Sequence, residues 1–270
     1  MSSHSVTRPT PWSDCPPANL RDVCGVLTDI DDTLTHNGQI EPPALEALAE
    51  LRAAGLPVMA ITGRPMGWSE GFALQWPVAA IVAENGAVAL WRDGDRLCTE
   101  FAQDFATREA NAKRLQAVAQ RILHEVPEAT LARDSAGRCT DIAIDHSEFV
   151  HLGATEIEHV VRLMHAAGMN ATVSSIHING WYGEHDKLSG AQGIVRRLLG
   201  RELNDERQRW VYVGDSTNDQ QMFGHFALSV GVANLSHFAA QLHTWPSYMT
   251  RAERGAGFAE VAQRVLLARA

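Results

Sequence analysis

The chain has little cysteine. Cys15, Cys24, Cys98 and Cys139 are the only four in 270 residues, and none stands in a C-x-x-C pair or a zinc-finger spacing. That pattern argues against a disulfide scaffold and reads as isolated reduced thiols in a cytoplasmic protein. Long apolar runs are missing too. None approaches the roughly 18 residues that span a bilayer, so no membrane association is expected. The opening "MSSHSVTRPTPWSDCPPANL" has no apolar signal-peptide core. Positive charge is scarce, with 23 Lys and Arg against 32 Asp and Glu and a formal net charge of −9, which argues against a nucleic-acid partner. Neither a G-x-x-x-x-G-K-[ST] loop nor a G-x-G-x-x-G turn occurs, so nucleotide-driven chemistry is disfavoured. The 12 histidines include no H-E-x-x-H pair.

What is present is an ordinary globular composition, 45% apolar and 20% charged, long enough to bury a core without staples. Residues 1–20, with their Pro and Ser, read as a flexible leader or a surface strap, and the fold is expected to begin near Arg21. From Val23 short apolar runs alternate with amphipathic segments. "VCGVLTD" reads as a strand ending at Asp29, and "PPALEALAELRAAG" as a helix with Pro in its first turn and Gly55 just past its end. "PVMAIT", "VAAIVAE", "RWVYVGD" and "ALSVGV" read as further strands. This rhythm implies βαβ units and a parallel α/β sheet.

The middle of the chain reads differently. "LWRDGDRLCTEF" suggests a hairpin around Asp93-Gly94, followed by a long helix, the strand "CTDIAIDH", a second helix and "NATVSSIHINGWY" as one last strand. Thr62 and Lys187 stand 125 residues apart. A βαβ unit takes about 30 residues, so an inserted α+β domain of about 90 residues is implied. The expected division is a core of 21–91 and 181–270 with a cap at 92–180.

Four polar signals fall at strand ends or helix starts, where open α/β sheets bind ligands. They are Asp29, Asp31 and Asp32 in "VLTDIDDTLT"; Thr62, Gly63 and Arg64 in "TGR"; Lys187; and "GDSTND", Gly214 to Asp219. Carboxylates packed this closely repel one another unless a hard cation neutralises them. Mg²⁺ suits the role, because it takes one or two carboxylates along with phosphate oxygens. Asp29 and Asp215 are the natural ligands. Asp29 is also placed to act as a nucleophile, and Asp31 as general acid and then base. Thr62 and Lys187 supply a hydroxyl and a positive charge for phosphoryl oxygens.

"DIDDTLT", "TGR", a lone Lys and "GDSTND", in that order, resemble the four motifs of the haloacid dehalogenase superfamily of aspartate-nucleophile phosphatases. The resemblance implies a Rossmann-like core with an inserted cap. It implies that Asp31 offers its backbone carbonyl to Mg²⁺ beside Asp29 and Asp215, and that Asn218 and Asp219 support the metal, its waters or Lys187, with Asn218 near the phosphate. The position of Asp32 is often Gly in this family, and its carboxylate adds charge near the phosphate. The cap's place in the sequence and "AENGA" (83–87) are similar to the branch containing sucrose-phosphate, trehalose-phosphate and mannosylglycerate-phosphate phosphatases. A phosphosugar is therefore the expected substrate.

Other residues keep two readings. Arg64 is a substrate ligand, a cap closure or a structural ion pair. Asn85 faces the site or serves its turn. His177, Asn179, Trp181 and Tyr182 line a substrate pocket or pack a hinge. Arg133 and Arg138 bind an anion or are solvated. Against hydrolysis stand a phosphomannomutase-like phosphotransferase and a catalytically silent phosphosugar-binding regulator. A monomer or homodimer is expected.

Overall fold

A computed structural model describes residues 9–269. They group into two compact units, 9–60 with 195–269, and 61–194.

The first unit is built on six parallel strands. Their order is Thr10–Pro11, Tyr248–Met249, Leu228–Gly231, Trp210–Gly214, Gly25–Thr28 and Val58–Ile61. The central strands are wholly buried, as their largely apolar sequences suit a covered parallel sheet, and the buried Thr28 hydroxyl donates to the Asp29 carbonyl at 2.8 Å. Helix Pro42–Ala53 begins with two prolines, is followed by Gly55 at φ +72°, and packs against the C-terminal helix Arg254–Arg269.

The flexible leader expected over 1–20 gives way, over 9–20, to packed chain. Trp12 is buried, donates its indole N–H to the Glu260 carbonyl at 3.3 Å and lies edge-on to Tyr248. Cys15 and Leu20 are fully buried. Residues 1–8 of that expected leader lie outside the described residues. All four cysteines are free thiols.

The second unit takes in the "TGR" turn, the span 92–180 and the start of the helix at Lys187. Strands Ala80–Ala83, Val88–Asp93 and Arg96–Phe101 form an antiparallel meander, with Gly94 at φ +60° in the expected hairpin. A separate four-stranded antiparallel sheet runs in the order Asn170–Val173, His177–Trp181, Asp141–Asp145, Thr130–Leu131. Helices Phe105–Glu125 and Ala154–Ala166 close its apolar core through Leu115, Ile122, Val160 and Met164 against Ile144 and Ile178. The single strand expected for "NATVSSIHINGWY" is two antiparallel strands. The turn between them has neither Gly nor Pro; the Ser174 hydroxyl oxygen accepts the N–H groups of Ile176 and His177 instead. No helix among the described residues is long and apolar enough to cross a membrane.

Candidate active site

In the first unit, strand pairing sets the carboxylates. Gly25–Thr28 runs parallel to Trp210–Gly214, and the register is extended when the Asp29 N–H donates to the Val213 carbonyl at 2.8 Å. Asp29 and Asp215 therefore follow neighbouring strands at the same sheet edge. Asp29, Asp215 and Asp219 are 4%, 1% and 0% exposed, and each brings a carboxylate oxygen within 4.8 Å of the others.

Asp219 has a distinct job. Its Oδ1 accepts the Tyr212 O–H at 2.5 Å, and its Oδ2 accepts the N–H groups of Asp215 and Ser216 at 2.9 and 3.1 Å. Burial, and then the neighbouring Asp219, push the Tyr212 hydroxyl well above its ordinary range, so it stays a donor. Gly214 is required here: a Cβ would sit 2.5 Å from Asp219 Oδ2. Asp219 thus ties down the loop that carries Asp215. Ser216 Oγ donates to Asn218 Oδ1 at 2.9 Å and fixes that amide in the same turn.

Two residues of this region had no sequence signal. The Asn234 amide donates to the Asp32 carbonyl at 2.9 Å and to Asp215 Oδ2 at 3.3 Å. Arg254 Nε donates to Asp32 Oδ1 at 3.0 Å. Asp32 has φ +55°, a left-handed conformation that ordinarily suits glycine. Its carboxylate is met by the Arg254 guanidinium, so its charge is offset locally. Asp31 is half-buried in the same loop.

An all-oxygen donor set with no His or Cys fits a hard cation such as Mg²⁺ and not zinc. Three donors already meet the Asp219 oxygens, so its carboxylate also braces the loop of this set.

In the second unit, the Thr62 hydroxyl accepts the Arg64 N–H at 2.9 Å, the Thr62 N–H donates to the Val82 carbonyl, and the Asn85 N–H donates to the Thr62 carbonyl. The "TGR" turn and the "AENGA" turn therefore brace one another. Glu84, Asn85 and Gly86 all have positive φ. Gly86, at φ +104°, lies so close to Asp186 that a Cβ would stand 1.9 Å from its carbonyl oxygen. Asp186 caps the helix Lys187–Leu199 by accepting the Ser189 N–H at 2.7 Å. The turn thus fixes the helix start that carries the buried Lys187.

Of the three readings of Arg64, the structure supplies the ion pair. Its guanidinium meets Asp134 at 3.2 Å and Glu148 at 2.8 Å and lies over Trp68. Arg138 is not solvated: its side chain is 2% exposed, and it is held by Asp134, Asp141 and the Gly63 carbonyl. Arg133 lies over the Phe149 ring at 3.7 Å. His177 Nε2 is 2.9 Å from Glu148 Oε2, and the Trp181 indole N–H donates to the His185 carbonyl. The Tyr182 O–H donates to the Ala167 carbonyl. Asn179 Nδ2 donates to Asp141 and to the Gly63 carbonyl, while Asn179 Oδ1 and Asn85 Nδ2 are buried without partners. Burial raises the Glu148 carboxyl, but the hydrogen bonds from His177 and Arg64 outweigh it and hold the group down to about 2.

Residues 26–130 match the family described as haloacid dehalogenase-like hydrolase. Phosphoglycolate phosphatase 1 of Saccharolobus solfataricus is 21% identical over 245 residues, covering 89% of this chain and 95% of that protein. A Thermoplasma acidophilum structure superposes with a TM-score of 0.68 at 15% identity, over 91% of this chain and 99% of the other. The sucrose-phosphatase of Synechocystis, solved with sucrose and phosphate, superposes with a TM-score of 0.63 at 18% identity, over 91% and 98%. The fold is thus shared with these two solved structures, an α/β fold with a parallel-rich central sheet. Residues 26–130 are similar to the haloacid dehalogenase-like hydrolases, and the chain along most of its length is similar to phosphoglycolate phosphatases.

Proposed function

We propose that the chain is a Mg²⁺-dependent phosphomonoester hydrolase that works through an aspartyl-phosphate on Asp29, with a phosphosugar as substrate. The observation that carries the chemistry is the buried set of Asp29, Asp215 and Asp219, in which we assign the cation to Asp29 and Asp215, with Asp219 bracing the loop. The Asp31 carbonyl would join them. The bound ion would neutralise the carboxylates and the incoming phosphate. Asp29 attacks phosphorus, the ester oxygen departs with a proton from Asp31, and Asp31 then takes a proton from the water that breaks the acyl phosphate. Thr62, Lys187 and Asn218 hold phosphoryl oxygens through the reaction. The span 92–180, with His177 and Asn179 in it, acts as a cap that selects the leaving group, together with Asn85 and Trp181, while Gly63 and Arg64 shape the turn.

A phosphosugar is supported by the likeness to sucrose-phosphatase in fold. A second reading, phosphoglycolate, is favoured by the name of a relative that aligns along nearly its whole length. The test is phosphate release over a panel of phosphate esters, with and without chelator, for wild type, Asp215→Ala and Asp29→Asn. Chelation and both substitutions should abolish turnover. Full activity in chelator, with no metal in the purified protein, would sink the mechanism.

A further inference from the structure

The buried carboxylates of the first unit belong to two loops, and one side chain ties those loops together. Asn234, 3% exposed, follows the strand Leu228–Gly231, the parallel neighbour of Trp210–Gly214. The two residues before it are pinned by their backbones. The Val232 N–H donates to the Gly214 carbonyl at 3.0 Å, and the Ala233 N–H to the Ala252 carbonyl at 3.2 Å. A third strand end thus delivers a neutral amide to the sheet edge that already holds Asp29 and Asp215.

That amide makes three polar contacts. Nδ2 donates to Asp215 Oδ2 at 3.3 Å and to the Asp32 carbonyl at 2.9 Å, and Oδ1 accepts the Arg254 N–H at 3.0 Å. Both N–H groups and the carbonyl are thereby used, which fixes the orientation of the amide. Turned over, it would set its oxygen against a carboxylate and a carbonyl, and its NH₂ against an N–H. A single nitrogen therefore reaches both halves of the acidic set: the Asp215 carboxylate on one side, and the loop that carries Asp29 and Asp31 on the other. Asp32, at φ +55°, holds a conformation that only well-determined surroundings sustain, and this bond is part of them. Being neutral, the amide orients Asp215 without cancelling its charge. A lysine or arginine there would compete with a cation.

We infer that Asn234 is a positioning residue for the cation: it holds the Asp215 carboxylate and the Asp29–Asp32 loop at one separation, so that the ion meets ligands already in place. The inference rests on the Mg²⁺-dependent reading above. Hydrogen-bond partners that orient metal-binding side chains typically contribute about 10- to 100-fold to affinity.

The test is the stability that Mg²⁺ adds. Full-length wild type, Asn234→Ala and Asn234→Ser are unfolded with urea, once in chelator and once in excess Mg²⁺. An ion bound only by the folded chain stabilises it by an amount set by its concentration relative to Kd, so the gap between the two midpoints reports affinity. A merely structural asparagine would lower both midpoints together and leave the gap as it is in wild type. The gap should instead shrink in both variants, and calorimetric titration should give a Mg²⁺ Kd raised about 10- to 100-fold. Half-maximal turnover of p-nitrophenyl phosphate should require correspondingly more Mg²⁺. Serine keeps a hydroxyl but is too short to span Asp215 and Asp32, and it carries the test if the alanine variant does not fold in chelator. A gap and a Kd within about twofold of wild type would overturn the inference and leave the cation reading intact, because that is well below the usual contribution of such a partner. Wild type with neither a Mg²⁺-dependent gap nor binding heat would overturn the cation reading, and the inference with it.

Discussion

Asp219 separates a cation ligand from a residue that positions one, and the difference is measurable. Asp219→Ala strands three buried donors: the Tyr212 hydroxyl and the backbone N–H groups of Asp215 and Ser216. Each buried donor left unmet costs about 1–3 kcal/mol, so the loss should be about 3 kcal/mol at the least. That is a large share of the roughly 5–15 kcal/mol that holds a domain folded. Asp219→Asn should behave otherwise. Its amide oxygen can still take both backbone N–H groups, and its NH₂ can face Tyr212, whose hydroxyl can turn to accept. A cost near that of one exchanged hydrogen bond, about 1 kcal/mol, follows. Urea unfolding, with the slope checked for constancy, gives the ordering. Calorimetric Mg²⁺ titration gives the second half: the Asn variant should still bind, whereas Asp215→Asn should not. An alanine variant within about 1 kcal/mol of wild type would refute the assignment, because the three donors would then have found other partners.

Gly86→Ala should destabilise the chain by about 2 kcal/mol or more, since it combines a strained φ with a clash against backbone. The aryl-phosphatase rate should fall with it as the start of the Lys187 helix shifts; urea midpoints and p-nitrophenyl phosphate turnover check both. Glu148, held near 2 against an ordinary 4.5, contributes stability that is complete above about 4.5 and lost as pH falls toward about 2. Glu148→Gln should therefore be less stable than wild type at pH 6, and the gap between their urea midpoints should close below pH 3. Asp31→Asn should slow a sugar phosphate by about 10²- to 10⁴-fold, the usual worth of general acid–base help. With a labelled aryl phosphate it should accumulate an acid-stable, hydroxylamine-labile protein label in rapid quench, and Asp29→Asn should show none.

Much of the fold is legible along the chain because burial imposes a period. A covered parallel strand is largely apolar, and Gly25–Thr28 and Trp210–Gly214 are, with Thr28 and Tyr212 the polar exceptions. The carboxylate set is legible for a related reason: parallel neighbours end at one sheet edge, so Asp29 and Asp215 meet although far apart in sequence. What escapes is chemistry that leaves no local mark. The Ser174 turn does the work of a glycine with a hydroxyl, so two strands read as one. Trp12, Cys15 and Leu20 are too few and too irregular to show a period, yet they bury a segment whose Pro and Ser content suggests mobility. Arg138 has the sequence context of any surface arginine, and only the folded chain brings Asp134, Asp141 and Gly63 around it.

The partner of Asp32 is the clearest case. Arg254 lies 222 residues away, and nothing in its own stretch announces it. Both residues have positive φ, at 55° and 49°, a conformation that non-glycine residues hold only where the surroundings over-determine it. Here they do. Asn234 donates to the Asp32 carbonyl and accepts the Arg254 N–H at 3.0 Å, and Glu41 accepts the next N–H, that of Gly255. The three aspartates of "DIDD" are therefore not one electrostatic problem. Asp32 is balanced by a guanidinium of the same unit at a partly exposed position, where such a pair is worth about 1 kcal/mol or less. Asp29 is buried with Asp215 and Asp219, the set to which the proposed cation is assigned. The proposed cation site rests on that buried set alone and would be unchanged if Asp32 were glycine.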